Sequence, residues 1–201
     1  NMLSRIIEQE LPLLNDKRYF LLELPASGSL PVEGVENIVR SLTSNGITPI
    51  IAHPERNMAI VKDLSIMERL IKCGALFQVT AMSITGRFDS AIKRHSFTMI
   101  KKGYIHAVAS DAHDVEHRPP ILSDAYEVVL KNFGKDEARQ LFIYNPFKII
   151  SGESIGEQYC PPAIEQSGHL SEKRDFLDKV KSVFHIPDID ISSAGLSIRK
   201  K

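Results

Sequence analysis

Three glycines constrain this chain more than any other feature. Gly46, Gly74 and Gly103 stand 28 and 29 residues apart in a chain of 201, and each has the same local context. An amphipathic stretch ends, the glycine follows, and a short apolar run begins, over 47–53, 75–80 and 104–111. Glycine just past a helix takes the left-handed conformation that closes it. Runs this rich in Ile, Val and Phe predict strands buried on both faces. A spacing near 30 residues is the length of one strand–helix unit. Residues 18–24 predict an earlier strand of the same kind. Apolar residues at helical spacing predict helices over 33–45, over 63–73 with Asp63 as N-cap, over 88–102, and again after Pro119-Pro120. Asn145-Pro146 predicts the start of a final helical turn, with proline at its first position. Four strands alternating with helices predict a parallel α/β sheet or barrel.

Charge and composition narrow the function. Lys+Arg and Asp+Glu both total 25, so the formal net charge is zero, which argues against nucleic acid or a membrane surface as partner. No apolar run approaches the ~18 residues of a membrane span. The opening residues lack the pattern of a signal peptide, and the two cysteines, Cys73 and Cys160, are too far apart and too few for a disulfide framework. A cytoplasmic location is the expectation. Near residue 151 the pattern changes: 152–157 and Cys160-Pro161-Pro162 have loop composition, and 171–184 predict a short amphipathic helix. The expected division is a domain over 1–152 and a C-terminal linker and extension over 153–201.

In parallel α/β folds the chemistry lies beyond the carboxyl ends of the strands. Glu23, His53, Thr80, Asp111 and His113 all fall there. Asp111-x-His113 places a hard oxygen donor and an imidazole on one side of a strand end, a pairing that suits manganese, iron or zinc. The alternative is an Asp capping the next helix beside a surface His. His53 ends a very apolar strand, as a metal ligand or as a structural histidine. Arg56, three residues on, has the planar fork that matches phosphate oxygens, or it pairs with Glu55. Arg118, held before two prolines, is a second clamp or a solvated loop arginine. Glu23 sits inside an apolar run and needs a partner, either a metal or a buried cation. Position argues against cysteine-based phosphate chemistry: six residues after the two cysteines stand Val79 and Gln166, where an arginine is needed. Neither a Walker loop nor a dinucleotide glycine fingerprint occurs.

Taken together, Leu22-Glu23-Leu24-Pro25, Ile51-Ala52-His53-Pro54-Glu55-Arg56, Gln78-Val79-Thr80-Ala81, Ser83-Ile84-Thr85-Gly86, Val108-Ala109-Ser110-Asp111-Ala112-His113 and Arg118-Pro119-Pro120 resemble a known family. They are similar to the bacterial manganese-dependent protein-tyrosine phosphatases of capsule and exopolysaccharide operons, in the polymerase-and-histidinol-phosphatase (PHP) superfamily. The resemblance covers roughly residues 3–152. It implies a distorted (β/α)7 TIM-like barrel, up to three metal ions, and the phosphotyrosine tail of a bacterial tyrosine kinase as substrate. On that resemblance Glu23, His53, Asp111 and His113 match metal ligands, and Arg56 and Arg118 match the residues that hold phosphate. The family opens with a His-x-His strand, whereas the first histidine here is His53 and no His-x-His occurs. The expectation is therefore a barrel lacking its first strands, an incomplete ligand set and impaired hydrolysis. A second copy or the C-terminal extension would cover the open face, so a homo-oligomer is one expected state. The alternatives are another PHP-type phosphoesterase acting on a small phosphate ester, or a non-catalytic module for oligomerisation or kinase binding.

Overall fold

The computed structural model describes residues 13–14, 18–25 and 31–155. The three glycines act as their spacing predicts. Gly46, Gly74 and Gly103 have φ of 77°, 99° and 71°, and each donates its N–H to a carbonyl of the helix it closes, on Thr43, Ile71 and Ile100. At Gly74 the constraint is steric as well, because a Cβ would lie 2.7 Å from Cγ2 of Thr43 on the neighbouring helix.

Four strands follow one another across a single parallel sheet: β1 (Tyr19–Glu23), β2 (Thr48–Ala52), β3 (Leu76–Thr80) and β4 (Ala107–Ala109). Helix α1 (Val32–Ser44) joins β1 to β2. A 3₁₀ turn (Pro54–Arg56), α2 (Met58–Lys62) and α3 (Ser65–Lys72) lead to β3. Helices α4 (Ala81–Thr85) and α5 (Ser90–Lys101) lead to β4. Then come α6 (Ser123–Phe133), α7 (Lys135–Arg139), a π-helical segment (Gln140–Tyr144) and α8 (Asn145–Ser151).

Several boundaries differ from the periodicity, each for a local reason. The helix expected over 63–73 starts at Ser65, and Asp63 accepts the Ser65 N–H rather than capping from the adjacent position. The stretch over 88–102 is a helix only from Ser90, because Asp89 accepts the Ile92 N–H and sets the start there. Phe88 is thereby left outside the helix. Asn145-Pro146 begins α8 as expected, with proline in its first turn, and α8 continues directly from α7 and the π segment. The expected strand over 104–111 pairs as a strand only over Ala107–Ala109.

Strand alternation sends the two faces of the sheet to different cores. Leu22, Ile51, Phe77, Val79 and Val108 face the helices and meet Val39, Met67, Leu70, Ile84, Met99 and Val129. The opposite face packs Tyr19, Ile50 and Ala107 against Ile149 of α8, at the amino end of the strands. The Tyr19 hydroxyl closes that end, donating to the Glu153 carbonyl at 2.6 Å and accepting from the Ile155 N–H at 3.2 Å. Beyond Ile155 the expected extension and its 171–184 helix lie outside the described residues.

His106 extends the β3–β4 ladder by one pair. Its N–H donates to the Phe77 carbonyl at 2.8 Å, and its Nδ1 accepts the Phe77 N–H at 3.1 Å. The Asn145 amide holds the His106 carbonyl at 2.7 Å. Burial pushes the imidazole down to about 4, against a bond to the Tyr104 backbone that acts the other way. A depressed pKa means that the neutral ring stabilises the fold above pH 6.5, and that this contribution is lost as pH falls toward 4. Urea unfolding of the wild type and of His106→Asn, which keeps an acceptor but does not titrate, should diverge as the medium is acidified. Between pH 7 and 5 the wild type should lose roughly 2 kcal/mol more than the variant, from about 1.4 kcal/mol per pKa unit. Parallel loss in both proteins would remove His106 as the cause.

Candidate phosphate-binding site

Register brings the sequence-predicted residues to one edge. Glu23 pairs with Ala52, Ala52 with Gln78, and Thr80 with Ala109, so the carboxyl ends of all four strands lie side by side. His53 follows β2 directly on that edge, and Asp111 stands two residues beyond β4. They are the two non-glycine residues with positive φ among the described residues, at 37° and 54°. A non-glycine residue held there costs about 1–3 kcal/mol and persists only where the surroundings impose it. The His53 N–H is bonded to the Gln78 carbonyl at 2.8 Å, and its carbonyl accepts the Arg56 N–H at 3.1 Å. The left-handed residue thus turns the chain from the strand into the Pro54–Arg56 turn and aims Arg56 back across the sheet.

Arg56 does not pair with its neighbour Glu55. Its Nη2 donates to Oδ2 of Asp111 at 3.0 Å and to the Thr80 hydroxyl at 3.1 Å. The Arg118 guanidinium reaches the same Asp111 oxygen. Two cations on one carboxylate leave a surplus positive charge, and the Nε of each arginine is buried without a hydrogen-bond partner. Buried unpaired donors beside a charge surplus suit an oxyanion. Arg118 owes its position to Asp114 as well as to the prolines. Asp114 Oδ1 accepts the N–H groups of Glu116, His117 and Arg118, folding the loop, and these bonds hold its carboxyl below the usual carboxylate range.

The four candidate metal donors fall into two pairs. His53 Nε2 lies 3.7 Å from Oε1 of Glu23, and His113 Nδ1 lies 3.8 Å from Oδ1 of Asp111. The His113 ring nitrogen is closer to the Asp111 carbonyl oxygen, at 3.0 Å. Among the described residues no three His, Cys, Asp or Glu side chains converge to hold an ion. These four donors alone do not fit a closed metal centre, and Asp111 is already engaged by both arginines.

Three contributors escaped the sequence reading. Glu55, 1% exposed, accepts the buried Thr80 N–H at 3.0 Å and ties the Arg56 turn to β3. Burial pushes its carboxyl up, opposed by the Ser83 hydroxyl and the Thr80 amide. Asn57 caps α2 through the Ala59 and Ile60 N–H groups and donates to the Pro25 carbonyl at 2.6 Å, anchoring the chain that leaves β1 after Glu23. Phe88 stacks on Arg56, with Cζ 4.3 Å from the ring centroid, and remains 37% exposed. Glu55 and Asn57 lie in the quoted His53–Arg56 neighbourhood, where a charged residue and an amide inside a short turn were the available signals. Phe88 carried none beyond its apolarity.

A parallel α/β sheet with two guanidinium groups gathered on one carboxylate at its carboxyl edge is a candidate oxyanion site. The chain belongs to the capsular polysaccharide synthesis CpsB/CapC family, whose profile matches residues 1–151. It is 32% identical over 160 residues to the tyrosine-protein phosphatase CpsB of Streptococcus pneumoniae, covering 76% of this chain and 64% of that protein. It is 35% identical over 158 residues to the putative tyrosine-protein phosphatase CapC of Staphylococcus aureus, covering 78% of this chain and 60% of that protein. Its fold is similar to a chain from the crystal structures of YwqE of Bacillus subtilis and CpsB of Streptococcus pneumoniae, described as metal-dependent tyrosine phosphatases. The TM-score is 0.72 at 32% identity, over 77% of this chain and 62% of that one. The chain therefore spans about three-fifths of the length of these relatives.

Glu55→Ala should destabilise the fold by about 1–3 kcal/mol, the cost of leaving the buried Thr80 N–H unpaired. Glu55→Gln, which keeps the acceptor, should remain within about 1 kcal/mol of wild type. Urea midpoints at neutral pH decide it. Equal effects of the two substitutions would show that the Thr80 bond is not what Glu55 supplies.

Proposed function

We propose that this chain is the phosphate-holding part of a metal-dependent tyrosine phosphatase of capsular or exopolysaccharide synthesis, acting on the phosphotyrosine tail of a bacterial tyrosine kinase in the cytoplasm. The observation that carries this reading is the convergence of Arg56 and Arg118 on Asp111, each with an unpaired buried Nε. Membership of the CpsB/CapC family supports the phosphatase class, and the likeness to YwqE and CpsB supports metal dependence. The sequential parallel order of β1 to β4 fits four neighbouring strands of a (β/α)7 PHP-type barrel, with the domain ending near residue 152. Among the described residues no helix is long and apolar enough to cross a membrane.

In this reading the chain's own residues bind and orient. The phosphate displaces Asp111 from part of its contact with the arginines and takes their free donors. The Thr80 hydroxyl, accepting from Arg56, keeps that fork flat against the strand end. Phe88 packs on the far side of the Arg56 guanidinium and offers an apolar edge to an aryl group. Glu23, His53, Asp111 and His113 are the donors that would face manganese, with iron and zinc as alternatives by ligand type. Because they stand as two pairs, they form an incomplete set, and hydrolysis by these residues alone should be weak.

Calorimetric titration with phenyl phosphate tests the capture. Arg56→Ala and Arg118→Ala should each weaken binding by about tenfold or more, and Arg56→Lys should fall between because a point charge cannot make two parallel bonds. Unchanged affinity in both alanine variants would sink the assignment. With added manganese the 201-residue chain should retain less than one ion per chain after desalting and turn over a phosphotyrosine peptide slowly or not at all. Rapid turnover would overturn the incomplete ligand set.

A further inference from the structure

A groove of about 390 Å³ lies between α5 and the end of α6. Its floor is apolar: Phe97 and Phe133 meet edge to face, with ring centroids 5.2 Å apart and planes at 67°. Its wall is cationic. Lys93, Arg94 and Lys101 line it, and the Lys93 ammonium stands 5.6 Å from the Phe97 ring centroid. Helix α5 contains no acidic residue, and Asp89, which precedes it, is engaged by the Ile92 N–H. None of the three cations forms an ion pair among the described residues, unlike Arg56, Arg69 and Arg118. In a chain whose formal net charge is zero, this is a local surplus beside an apolar floor.

The groove lies on the helix that follows Phe88 in the chain. Helix α5 packs against the Pro54–Arg56 turn, and its first residue, Ser90, follows the Phe88 that stacks on Arg56 by two positions. From Ser90 to Lys101 the helix rises about 16 Å at ~1.5 Å per residue, the reach of about five residues of extended peptide.

We propose that this groove docks the chain next to the phosphorylated residue: an extended acidic segment with an aromatic or aliphatic side chain seated on Phe97 and Phe133. The proposal rests on the phosphatase reading for the identity of the peptide, and on the groove alone for its chemistry. Opposite charge supplies steering and register, and the apolar side chain supplies burial. A phosphate held at Arg56 delivers its own flanking chain onto Lys93 and Arg94 and then toward Lys101.

The test uses an unphosphorylated, dye-labelled peptide of Glu, Asp and one Tyr, followed by fluorescence anisotropy with the whole chain, so that no catalysis is required. Lys93→Glu combined with Arg94→Glu should weaken binding by about tenfold or more, and so should replacing the peptide's acids with Gln. Lys101→Glu repeats the test at an exposed position, the last residue of α5. Arg40→Glu, an exposed cation on α1, should change nothing. Equal binding by the double variant, or an equal loss with Arg40→Glu, would overturn the proposal. Self-association of the wild type that the double variant abolishes would give the groove to a second copy instead, and would equally overturn it. If the arginine variants of the phosphate site lose phenyl phosphate while the groove variants keep the peptide, only the groove reading fails. The reverse result removes the phosphatase reading and leaves an acidic-peptide site.

Discussion

The Asp111 carboxylate is the hub on which the candidate site depends. It stands two residues beyond β4, yet it fixes Arg56 from the end of β2 and Arg118 from the loop after β4. Without it, two guanidinium groups would face each other across a few ångströms with nothing between them. With it, their mutual repulsion is offset and one surplus charge remains for a ligand. The left-handed backbone of Asp111 is the conformational cost of bringing the carboxylate to that point, and the matching strain at His53 does the same for Arg56. The two strained residues belong to one electrostatic arrangement.

That arrangement is set on rigid supports. Glu55 joins the Arg56 turn to β3, Asn57 joins the start of α2 to the chain leaving β1, and Asp114 folds the Arg118 loop through three backbone N–H groups. Each uses a side-chain oxygen or amide to satisfy backbone groups that the sheet and helices leave open. The arginine donors are thus already placed, and an oxyanion bound as proposed would not have to order them.

The strand ends were legible because glycine spacing and apolar runs set register independently of the polar residues. Glu23, His53, Thr80 and Asp111 were therefore placed correctly along one edge. The partners were not legible. Arg56 stands beside Glu55 in sequence but pairs with Asp111, 55 residues away, because the turn points the two side chains in different directions. Phe88 has an apolar residue's place in a helical pattern, and only the Asp89 cap, one residue later, excludes it from α5. The helix expected over 88–102 starts two residues late, at Ser90, and the final helix at Asn145 follows a π segment that periodicity does not show: periodicity reports which face is buried, whereas caps and a π segment decide where the backbone starts or continues.

The Tyr19 hydroxyl has a consequence for the order in which this domain is built during synthesis. It joins the first strand to Glu153 and Ile155, 134 and 136 residues downstream. The helix-facing core grows from neighbouring strand–helix units and can condense as each leaves the ribosome. The opposite face waits for Ile149 and the carbonyl of Glu153, the most distant contacts described here. Until Ile149 arrives, Tyr19, Ile50 and Ala107 lack the packing it supplies, so this face of the sheet is completed later than the helix-facing one.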